Sequence, residues 1–381
     1  MATELQIYIE DSLLYAEEFF KDVGNITRFS GYKVQPQDIS DADVLLTRST
    51  TKVSRELVSQ AKNLKFVGTA TAGYDHIDGK ALEDKGIHWT AAGGCNADAV
   101  ADYVLSALFI IAQESMFELA DKSVAVVGVG EVGSRIVERV NALGCQVIAY
   151  DPVRAQNDAS FTSASLDEVL AADIISCHVP LTHDNEFATD KMFGAAQFAK
   201  MREDVIFINA CRGEIVDEAA LKTHMQAKPK TKLVLDVFDN EPNIDLEIME
   251  LAMFASPHIA GHSLEGKARG TEMLYFKLCD FFGLNKQHQL HDFLPPMRVD
   301  NIDLAASCQF EQSILRKITH LVYDIRDDNV WFKNAMRQDA SQFKSLRRSY
   351  PIRREMTSLV VRHPAHDIQD KLTQLSLRAT K

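Results

Sequence analysis

Three side chains that suit the oxidation of a secondary alcohol stand in short stretches of the 381-residue sequence. Arg212 lies in NACRG, Glu241 in DVFDNEP and His258 in SPHIAG. A histidine can take the proton of a hydroxyl group because its pKa lies near neutrality. A neighbouring carboxylate orients the imidazole ring and favours its charged form. Since arginine matches a carboxylate with two parallel hydrogen bonds, the set predicts a site where a hydroxy acid loses a hydride.

A glycine-rich loop, GVGEVG, predicts the group that accepts this hydride. The loop follows a predicted strand and opens a predicted helix, which is the context that a dinucleotide fingerprint requires. Gly128 permits a tight turn, Gly130 lets the backbone approach a pyrophosphate, and Gly133 lets the helix pack on its strand. Asp151 ends the next predicted strand and can bind ribose hydroxyl groups, which favours NAD over NADP. Arg154 lies close enough to weaken that preference.

Simpler interpretations exist for each residue taken alone. A histidine is more often a hydrogen-bonded loop residue than a base, and an arginine more often forms a surface ion pair. Asp236 could cap a helix, and Glu241 could be a solvated loop acid. Cys211 has no evident base, so we expect a small buried thiol rather than a nucleophile. The grouping of the motifs favours the catalytic interpretation.

The composition is that of a globular protein, with 46% hydrophobic and 25% charged residues. The formal net charge of −13 argues against general nucleic-acid binding. The N-terminus does not resemble a signal peptide, and no apolar run reaches the length of a membrane span. The six cysteines contain no CxxC pair, and His76 and His88 lack ligand-like spacing. We therefore expect a cytoplasmic protein without a membrane segment, nucleic-acid partner or metal.

Short apolar segments alternate with segments of helical sequence pattern, and this alternation predicts parallel sheets. The predicted strands are 4–10, 43–47, 65–68, 123–127, 146–150, 173–177, 205–209 and 232–236. A strongly apolar segment at 97–118 is predicted to be a buried helix that carries the chain from a first domain into a second. A further helix after His258 is predicted to return the chain to the first domain.

The order GxGxxG, Asp, NxxRG, DVxxxEP, PHxxG is similar to that of the D-isomer-specific 2-hydroxyacid dehydrogenase family, over roughly residues 1–285. Five stretches resemble the members that act on 4-phospho-D-erythronate: RSTTKV, FVGTATAGYDHID, GCNADAV, INACRG and HIAGHSLEGKARGT. HLVYDIRDD and FKSLRRSYPIRREMTSL resemble the dimerisation domain of those members. The resemblance implies a homodimer that oxidises this phosphorylated sugar acid with NAD to 2-oxo-3-hydroxy-4-phosphobutanoate. That reaction belongs to pyridoxine and pyridoxal phosphate synthesis.

The predicted fold is α/β, with two doubly wound parallel-sheet domains. A Rossmann-type NAD domain at 96–258 is inserted in a flavodoxin-like substrate domain at 1–95 and 259–285. Residues 286–381 are predicted to form a small C-terminal α+β dimerisation domain. Charge supports this last boundary, because 286–381 carry 16 Lys and Arg against 11 Asp and Glu, whereas the rest carries 25 against 43.

The family resemblance also implies roles for particular residues. Arg212, Glu241 and His258 would be catalytic, with His258 as the proton acceptor. The substrate would be contacted by Ser49, Thr71 and His262. The cofactor would be contacted by Gly128, Gly130, Glu131, Val132, Gly133, Asp151, Val179, Asp236 and Gly261.

Two positions depart from the family pattern. His262 stands where the family often has Tyr, so a hydrogen bond to substrate would come from imidazole instead. Val179 stands where Thr is common, which removes a side-chain contact to the cofactor but leaves backbone contacts possible.

Several alternatives stay open. Arg48, Ser49 and Lys52 could hold the substrate phosphate or form a solvated turn. The basic cluster at 347–354 could reach a partner's active site or form interface salt bridges. The chain could also be a dehydrogenase of the 3-phosphoglycerate or hydroxypyruvate type, or a non-catalytic NAD(H)-sensing protein.

Overall fold

A computed structural model describes residues 4–184 and 186–381 of the chain. The strands are β1 (Leu5–Glu10), β2 (Gly24–Phe29), β3 (Val44–Thr47), β4 (Phe66–Thr69), β5 (His88–Ala91), β6 (Ser123–Val127), β7 (Gln146–Tyr150), β8 (Ile174–Cys177), β9 (Ile206–Asn209), β10 (Lys232–Leu235), β11 (Phe254–Ala255), β12 (Asn301–Asp303), β13 (Val360–Arg362) and β14 (Arg378–Thr380). The helices are α1 (Ala16–Phe20), α2 (Gly79–Glu83), α3 (Ala97–Glu114), α4 (Glu131–Ala142), α5 (Pro152–Asn157), α6 (Leu166–Ala171), α7 (Ala195–Lys200), α8 (Glu218–Ala227), α9 (Leu246–Leu251), α10 (Leu264–Phe282), α11 (Gln312–Val322), α12 (Ile325–Gln338), α13 (Phe343–Arg348) and α14 (His366–Gln374).

The first compact unit comprises the chain up to Asn96 together with Ser263–Pro296. Its parallel sheet has the order β2-β1-β3-β4-β5, which is the flavodoxin-like order. Helix α10 packs on this sheet through a small residue, because a Cβ at Gly68 would lie 2.9 Å from a methyl group of Leu274. The carboxyl ends of β3 and β4 lie side by side at the edge where open α/β sheets bind ligands.

The second compact unit comprises Ala97–His262 and Met297–Lys381. Its six-stranded parallel sheet has the order β11-β10-β9-β8-β6-β7. The strands β8, β9 and β10 are buried along almost their whole length, as expected for a sheet covered on both faces. Helix α3 is buried on nearly every side but ends at Glu114 rather than at 118, since Met116 has a left-handed backbone with φ 54°.

The C-terminal segment of the second unit forms a small parallel sheet, β12-β13-β14, with helices α11 to α14. Helix α11 contacts α3, and α12 lies against β11. Buried Lys333 of α12 donates to the carbonyl of Ala252 at 2.6 Å, and Asn329 accepts from the amide of Ala255 at 2.9 Å. The segment therefore shares one unit with the six-stranded sheet, and its role in dimerisation stays a prediction.

The sequence analysis did not predict several strands, among them β2 and β5 at the edges of the first sheet. Strand β2 (GNITRF) has one buried residue, and β5 (HWTA) has none. An edge strand has a neighbour on one side alone and carries polar residues that obscure an apolar pattern. The predicted strands lie within one residue of the structure's bounds. Seven of the eight are central strands, and the eighth, β7, lies at the edge of the second sheet but has the largely apolar sequence QVIAY.

Along residues 4–184 and 186–381, none of the helices combines the length and apolar character needed to cross a lipid bilayer.

A buried carboxylate anchors the loop after β3. Glu10, 1% exposed at the end of β1, accepts hydrogen bonds from the hydroxyl groups of Ser12 at 2.5 Å, Thr51 at 2.6 Å and Thr50. It also accepts from the backbone amide of Arg48 at 2.7 Å. Burial opposes ionisation of Glu10, but these four donors outweigh it and lower the pKa below 4.5. The ionised carboxylate therefore stabilises the conformation of this loop.

Replacing Glu10 with Gln should lower the free energy of unfolding at pH 7 by about 1–3 kcal/mol, because an amide places N–H groups among donors. The native pKa is depressed, so the contribution of Glu10 is complete above the unfolded pKa of 4.5 and is lost as the pH falls through the lower native value. Urea unfolding at neutral and acidic pH should give a smaller difference between wild type and Glu10→Gln in acid. The exposed Glu56→Gln variant is the control, and a difference that does not change with pH would contradict the argument.

Candidate active site

The strand ends of the second sheet place the predicted site residues along one edge. In the register of the sheet, Asn209 of β9 lies opposite Leu235 of β10, and Leu235 lies opposite Ala255 of β11. The segments that carry Arg212, Asp236 and His258 follow directly. Motifs that are far apart in sequence therefore begin side by side.

His258 and Glu241 form a hydrogen-bonded pair, with 2.8 Å between Nδ1 and Oε2. The other carboxylate oxygen of Glu241 accepts the backbone N–H of Phe238 at 3.0 Å, which fixes the plane of the carboxylate. The two side chains are 28% and 20% exposed, so the pair is accessible but partly shielded. Because Nδ1 is held by Glu241, Nε2 is the ring nitrogen that can receive a proton from a substrate.

A turn with unusual backbone geometry presents the imidazole. His258 has φ 58°, a left-handed value, and its amide donates to the carbonyl of Asp236 at 2.7 Å. The carboxylate of Asp236 accepts from Ser256 Oγ at 2.6 Å and from the amides of Ile259 at 2.8 Å and Ala260 at 2.9 Å. Burial raises the pKa of Asp236, and the charge of His258 and these donors offset the rise only in part. Asp236 thus caps this turn rather than a helix.

The loop of Arg212 packs directly against the loop of Glu241, and a glycine allows this close approach. A Cβ at Gly213 would lie 1.9 Å from the carbonyl carbon of Phe238, so only glycine allows this approach. Asn209 closes the start of the loop, since its side-chain amide donates to the carbonyl of Arg212 at 2.9 Å. The half-buried arginine therefore stands on a loop that is packed beside the His–Glu pair.

Cys211 is buried and His178 is half-buried near these loops, and neither is suited to proton transfer near neutral pH. Burial raises the pKa of Cys211 to about 11, which confirms the prediction of an inert buried thiol. Burial lowers the pKa of His178 to about 3, and its Nε2 lies 2.7 Å from Ser176 Oγ. His178 is therefore a neutral structural residue.

The glycine-rich loop has the shape that a pyrophosphate requires. Gly128 has φ 86°, and a Cβ there would lie 2.7 Å from the carbonyl oxygen of His178, beside Val179. A Cβ at Gly133 would lie 1.9 Å from the oxygen of Gly128. By contrast, the space beside Gly130 is open to 4 Å, and helix α4 begins at the next residue, Glu131, followed by Val132. The open backbone at a helix N-terminus fits a bound dinucleotide phosphate.

Asp151 stands against this loop at the end of β7. One oxygen of its carboxylate caps α5 by accepting from the amide of Arg154 at 2.9 Å, and the other accepts from the amide of Val129 at 2.9 Å. The guanidinium of Arg154 binds the carbonyl of Val129 and the carboxylate of Asp158, and stacks on Phe161. Arg154 therefore has other partners, and the negative charge of Asp151 faces the loop.

A buried arginine from the C-terminal segment supports the turn after His258. Arg353 is 6% exposed and donates to the carbonyls of Ala260 at 3.0 Å and Ala99 at 2.5 Å. Its guanidinium lies 3.5 Å from the ring centroid of Tyr323. The sequence analysis left the 347–354 cluster open between a partner's active site and an interface. Arg353 instead binds its own chain, which sequence could not reveal because no local pattern predicts contacts across such separations.

Gly261 and His262 follow this turn. The ring of His262 packs edge-on against Tyr350 of the C-terminal segment, with centroids 6.2 Å apart. Tyr350 in turn donates to Asp328 at 2.8 Å. Residue 262 is therefore in contact with an aromatic residue from the same unit.

The predicted substrate residues of the first unit lie on two neighbouring strand ends. Ser49 belongs to the loop after β3, and Thr71 follows β4. Thr71 Oγ1 donates to the carbonyl of Gly73 and lies 2.8 Å from Thr69 Oγ1, which lies 2.8 Å from His76 Nε2. Both hydroxyl side chains are therefore near the edge of the sheet that binds ligands in such folds.

The His, Cys, Asp and Glu side chains in the described ranges do not gather in groups of three or more that could hold a metal ion.

Residues 109–260 match the model of the D-isomer-specific 2-hydroxyacid dehydrogenase, NAD binding domain, and residues 293–376 match a domain of unknown function. Erythronate-4-phosphate dehydrogenase of Pseudoalteromonas atlantica is 44% identical over 94% of this chain and 95% of its own length. The enzyme of the same name from Psychromonas ingrahamii is 40% identical over 97% and 96%.

Two solved structures are similar to about three quarters of the chain. D-lactate dehydrogenase of Aquifex aeolicus, complexed with NAD and lactic acid, is 26% identical with a TM-score of 0.56, over 73% of this chain and 95% of that one. NAD⁺-bound 3-phosphoglycerate dehydrogenase of Entamoeba histolytica is 25% identical with a TM-score of 0.60, over 74% and 96%. These likenesses confirm the predicted fold class.

Replacing Arg353 with Met should lower the free energy of unfolding by about 2–5 kcal/mol, because the buried carbonyls of Ala99 and Ala260 lose their charged donor. The exposed Arg348→Met variant removes the same charge from the same segment and should change stability by less than about 0.5 kcal/mol. Urea unfolding of both variants measures the difference. Equal stability of Arg353→Met and wild type would show that these hydrogen bonds do not hold the turn.

Proposed function

Because this chain belongs to the D-isomer-specific 2-hydroxyacid dehydrogenase family, and matches its erythronate-4-phosphate dehydrogenases along nearly its whole length, we propose that it oxidises 4-phospho-D-erythronate with NAD. The product is 2-oxo-3-hydroxy-4-phosphobutanoate, in the synthesis of pyridoxine and pyridoxal phosphate. The chain is an NAD-dependent oxidoreductase. The observation that carries the proposal for the mechanism is the oriented pair of His258 and Glu241.

The proton of the substrate hydroxyl passes to Nε2 of His258. As the O–H bond breaks, the electron pair forms the carbonyl at C2, and the hydrogen of C2 leaves as a hydride. Bound NAD supplies the acceptor for that hydride. Glu241 stabilises the imidazolium that results, since its carboxylate lies 2.8 Å from Nδ1.

Arg212 binds the carboxylate next to C2. Its guanidinium can donate two parallel hydrogen bonds, which hold both the position and the rotation of the substrate. The packing of Gly213 on Phe238 supports this role because it places the arginine loop beside the loop of Glu241. Binding and proton transfer are then performed by adjacent loops of one sheet edge.

The cofactor site is assigned to the loop after β6 and the end of β7. Gly128, Gly130 and Gly133 shape the loop, and the amides of Glu131 and Val132 at the start of α4 would hold the phosphates. Asp151 binds the adenosine ribose, while Val179, Asp236 and Gly261 contact the rest of NAD. The open space beside Gly130 supports this assignment.

Substrate contacts are assigned to Ser49, Thr71 and His262. The hydroxyl groups of the first two lie on adjacent strand ends of the first unit, which supports a shared role. His262 offers a ring nitrogen where the family often has a phenol, so its contact depends on the protonation of imidazole.

We further propose a cytoplasmic homodimer whose subunits meet through residues 286–381. This segment carries large exposed apolar side chains at Leu321, Val330 and Ile352, the last of which is 81% exposed. Such residues favour a protein interface. Sedimentation of the purified chain tests the dimer, and a monomer at all concentrations would contradict it.

With NAD, the purified protein should oxidise 4-phosphoerythronate with a higher kcat/KM than 3-phosphoglycerate or glycerate, the hydroxy acid that corresponds to hydroxypyruvate. The reason is that several sequence stretches resemble the family members that act on 4-phosphoerythronate. The absorbance of NADH measures the reaction. Good turnover of 3-phosphoglycerate without turnover of 4-phosphoerythronate would identify the alternative dehydrogenase. NAD binding without turnover of any acid would favour the NAD(H)-sensing alternative.

Replacing His258 with Asn should lower kcat by about 100- to 10,000-fold, because the proton acceptor is lost. Asparagine tolerates the left-handed backbone of this position, so the turn should persist. Affinity for NAD, measured by calorimetry, should stay within about twofold of wild type. The exposed His291→Asn variant is the control. A kcat close to that of wild type would remove His258 from the mechanism.

A further inference from the structure

Near its N-terminus, α10 packs against the chain segment that follows β4. A Cβ at Gly270 would lie 2.7 Å from the carbonyl oxygen of Ala70, so the helix touches the chain directly after β4. The amide of Ala70 donates to the carbonyl of Thr47 at 2.9 Å, and Arg48 is the next residue. Lys267 precedes Gly270 by about one turn on the same face, and side chains of a helix lean towards its N-terminus. The Lys267 and Arg48 side chains therefore belong to one edge of the first sheet.

Lys267 differs from the other lysine of this helix in its surroundings. Lys277 donates to Thr90 Oγ1 at 3.0 Å and to the carbonyl of Ala91 at 2.7 Å. Within residues 4–184 and 186–381, the half-buried Lys267 ammonium has neither a hydrogen-bond nor an ion-pair partner. Burial lowers the pKa of Lys267, and the positive charge of Arg48 lowers it further. Such a pair of cations is stabilised when an anion binds.

We propose that Lys267, together with Arg48, binds the phosphate group of the substrate and so determines the preference for a phosphorylated acid. The inference rests on the proposed function. That substrate carries two anionic groups, a carboxylate and a phosphate. A phosphate has up to two negative charges and three acceptor oxygens, which match an ammonium and a guanidinium in one place.

The structure favours Lys267 over Lys52, the lysine that the sequence analysis placed beside Arg48 and Ser49. Lys52 is exposed, whereas Lys267 is half-buried and comes from α10, more than two hundred residues later in sequence. A half-buried cation binds an anion more strongly than an exposed one because solvent screens it less. The loop that faces it is held in place by Glu10, which accepts the amide of Arg48.

Kinetics with 4-phosphoerythronate and unphosphorylated erythronate test this role. Lys267→Met should raise KM for 4-phosphoerythronate by about 10- to 100-fold, the effect of losing a charge-assisted hydrogen bond, and change kcat less. The kcat/KM for erythronate should stay within about twofold. Lys267→Arg should restore part of the affinity. Inorganic phosphate should compete with 4-phosphoerythronate in wild type and inhibit Lys267→Met more weakly.

The matched control is Lys52→Met, which removes the same charge from the exposed position and should leave KM nearly unchanged. If wild type does not oxidise 4-phosphoerythronate, the proposed function fails. If wild type does and Lys267→Met has an unchanged KM, or loses activity equally on both acids, the inference is wrong and the proposed function stands. A large rise in KM for Lys52→Met alone would assign the phosphate to Lys52.

Acetylation of the wild-type protein tests the same contact without a variant, in case Lys267→Met does not fold. Acetylation of Lys267, measured by mass spectrometry, should slow when 4-phosphoerythronate or inorganic phosphate is present. Acetylation of the exposed Lys80 should not change. Equal labelling of Lys267 with and without these anions would overturn the inference.

Discussion

The contact between the Glu241 carboxylate and Nδ1 of His258 is the interaction on which the site depends. It needs two things that neither residue supplies. The carboxylate must be held in its plane, and the amide of Phe238 does this. The imidazole must be presented by a left-handed residue, which is a strained conformation for histidine. The buried carboxylate of Asp236 accepts hydrogen bonds from the amides of Ile259 and Ala260, directly after His258. These hydrogen bonds offset the strain at His258.

Glycines set a second constraint, because they allow backbones to approach more closely than any side chain permits. Gly213 lets the loop of Arg212 pack closely against the loop of Glu241, and Gly133 lets α4 pack closely against the turn at Gly128. At Gly130 the absent side chain leaves open space instead. The same residue type thus serves packing at two places and ligand access at a third. Its position relative to the strand ends decides which of the two it serves.

The sequence predicted what depends on local pattern. Central strands such as β6 and β8 are apolar throughout, and the motifs of Arg212, Glu241 and His258 follow strands, so the fold class and the His–Glu pair could be foreseen. The edge strand β2 could not, because most of its residues are polar or exposed. Arg353 binds Ala260, about 90 residues earlier in sequence, and Lys267 lies about 220 residues after Arg48. Tertiary packing determines these placements, and no local sequence pattern predicts them. The relations of Ser49, Thr71 and His262 to substrate remain predictions.

Burial explains how an acidic chain can bind an anionic substrate. With a net charge of −13, the protein repels anions at long range, but screening by salt weakens that repulsion beyond about 10 Å. A cation in the binding site attracts an anionic group more strongly, because the distance between the charges is shorter and the surrounding medium is less polar. Arg353 shows the structural use of such a cation, since it is surrounded by carbonyl groups and an aromatic ring. Within the described residues, Lys267 has no such hydrogen-bond partners, so its charge is left for a ligand. For the binding of an anion, the local charge of the site therefore matters more than the net charge of the chain.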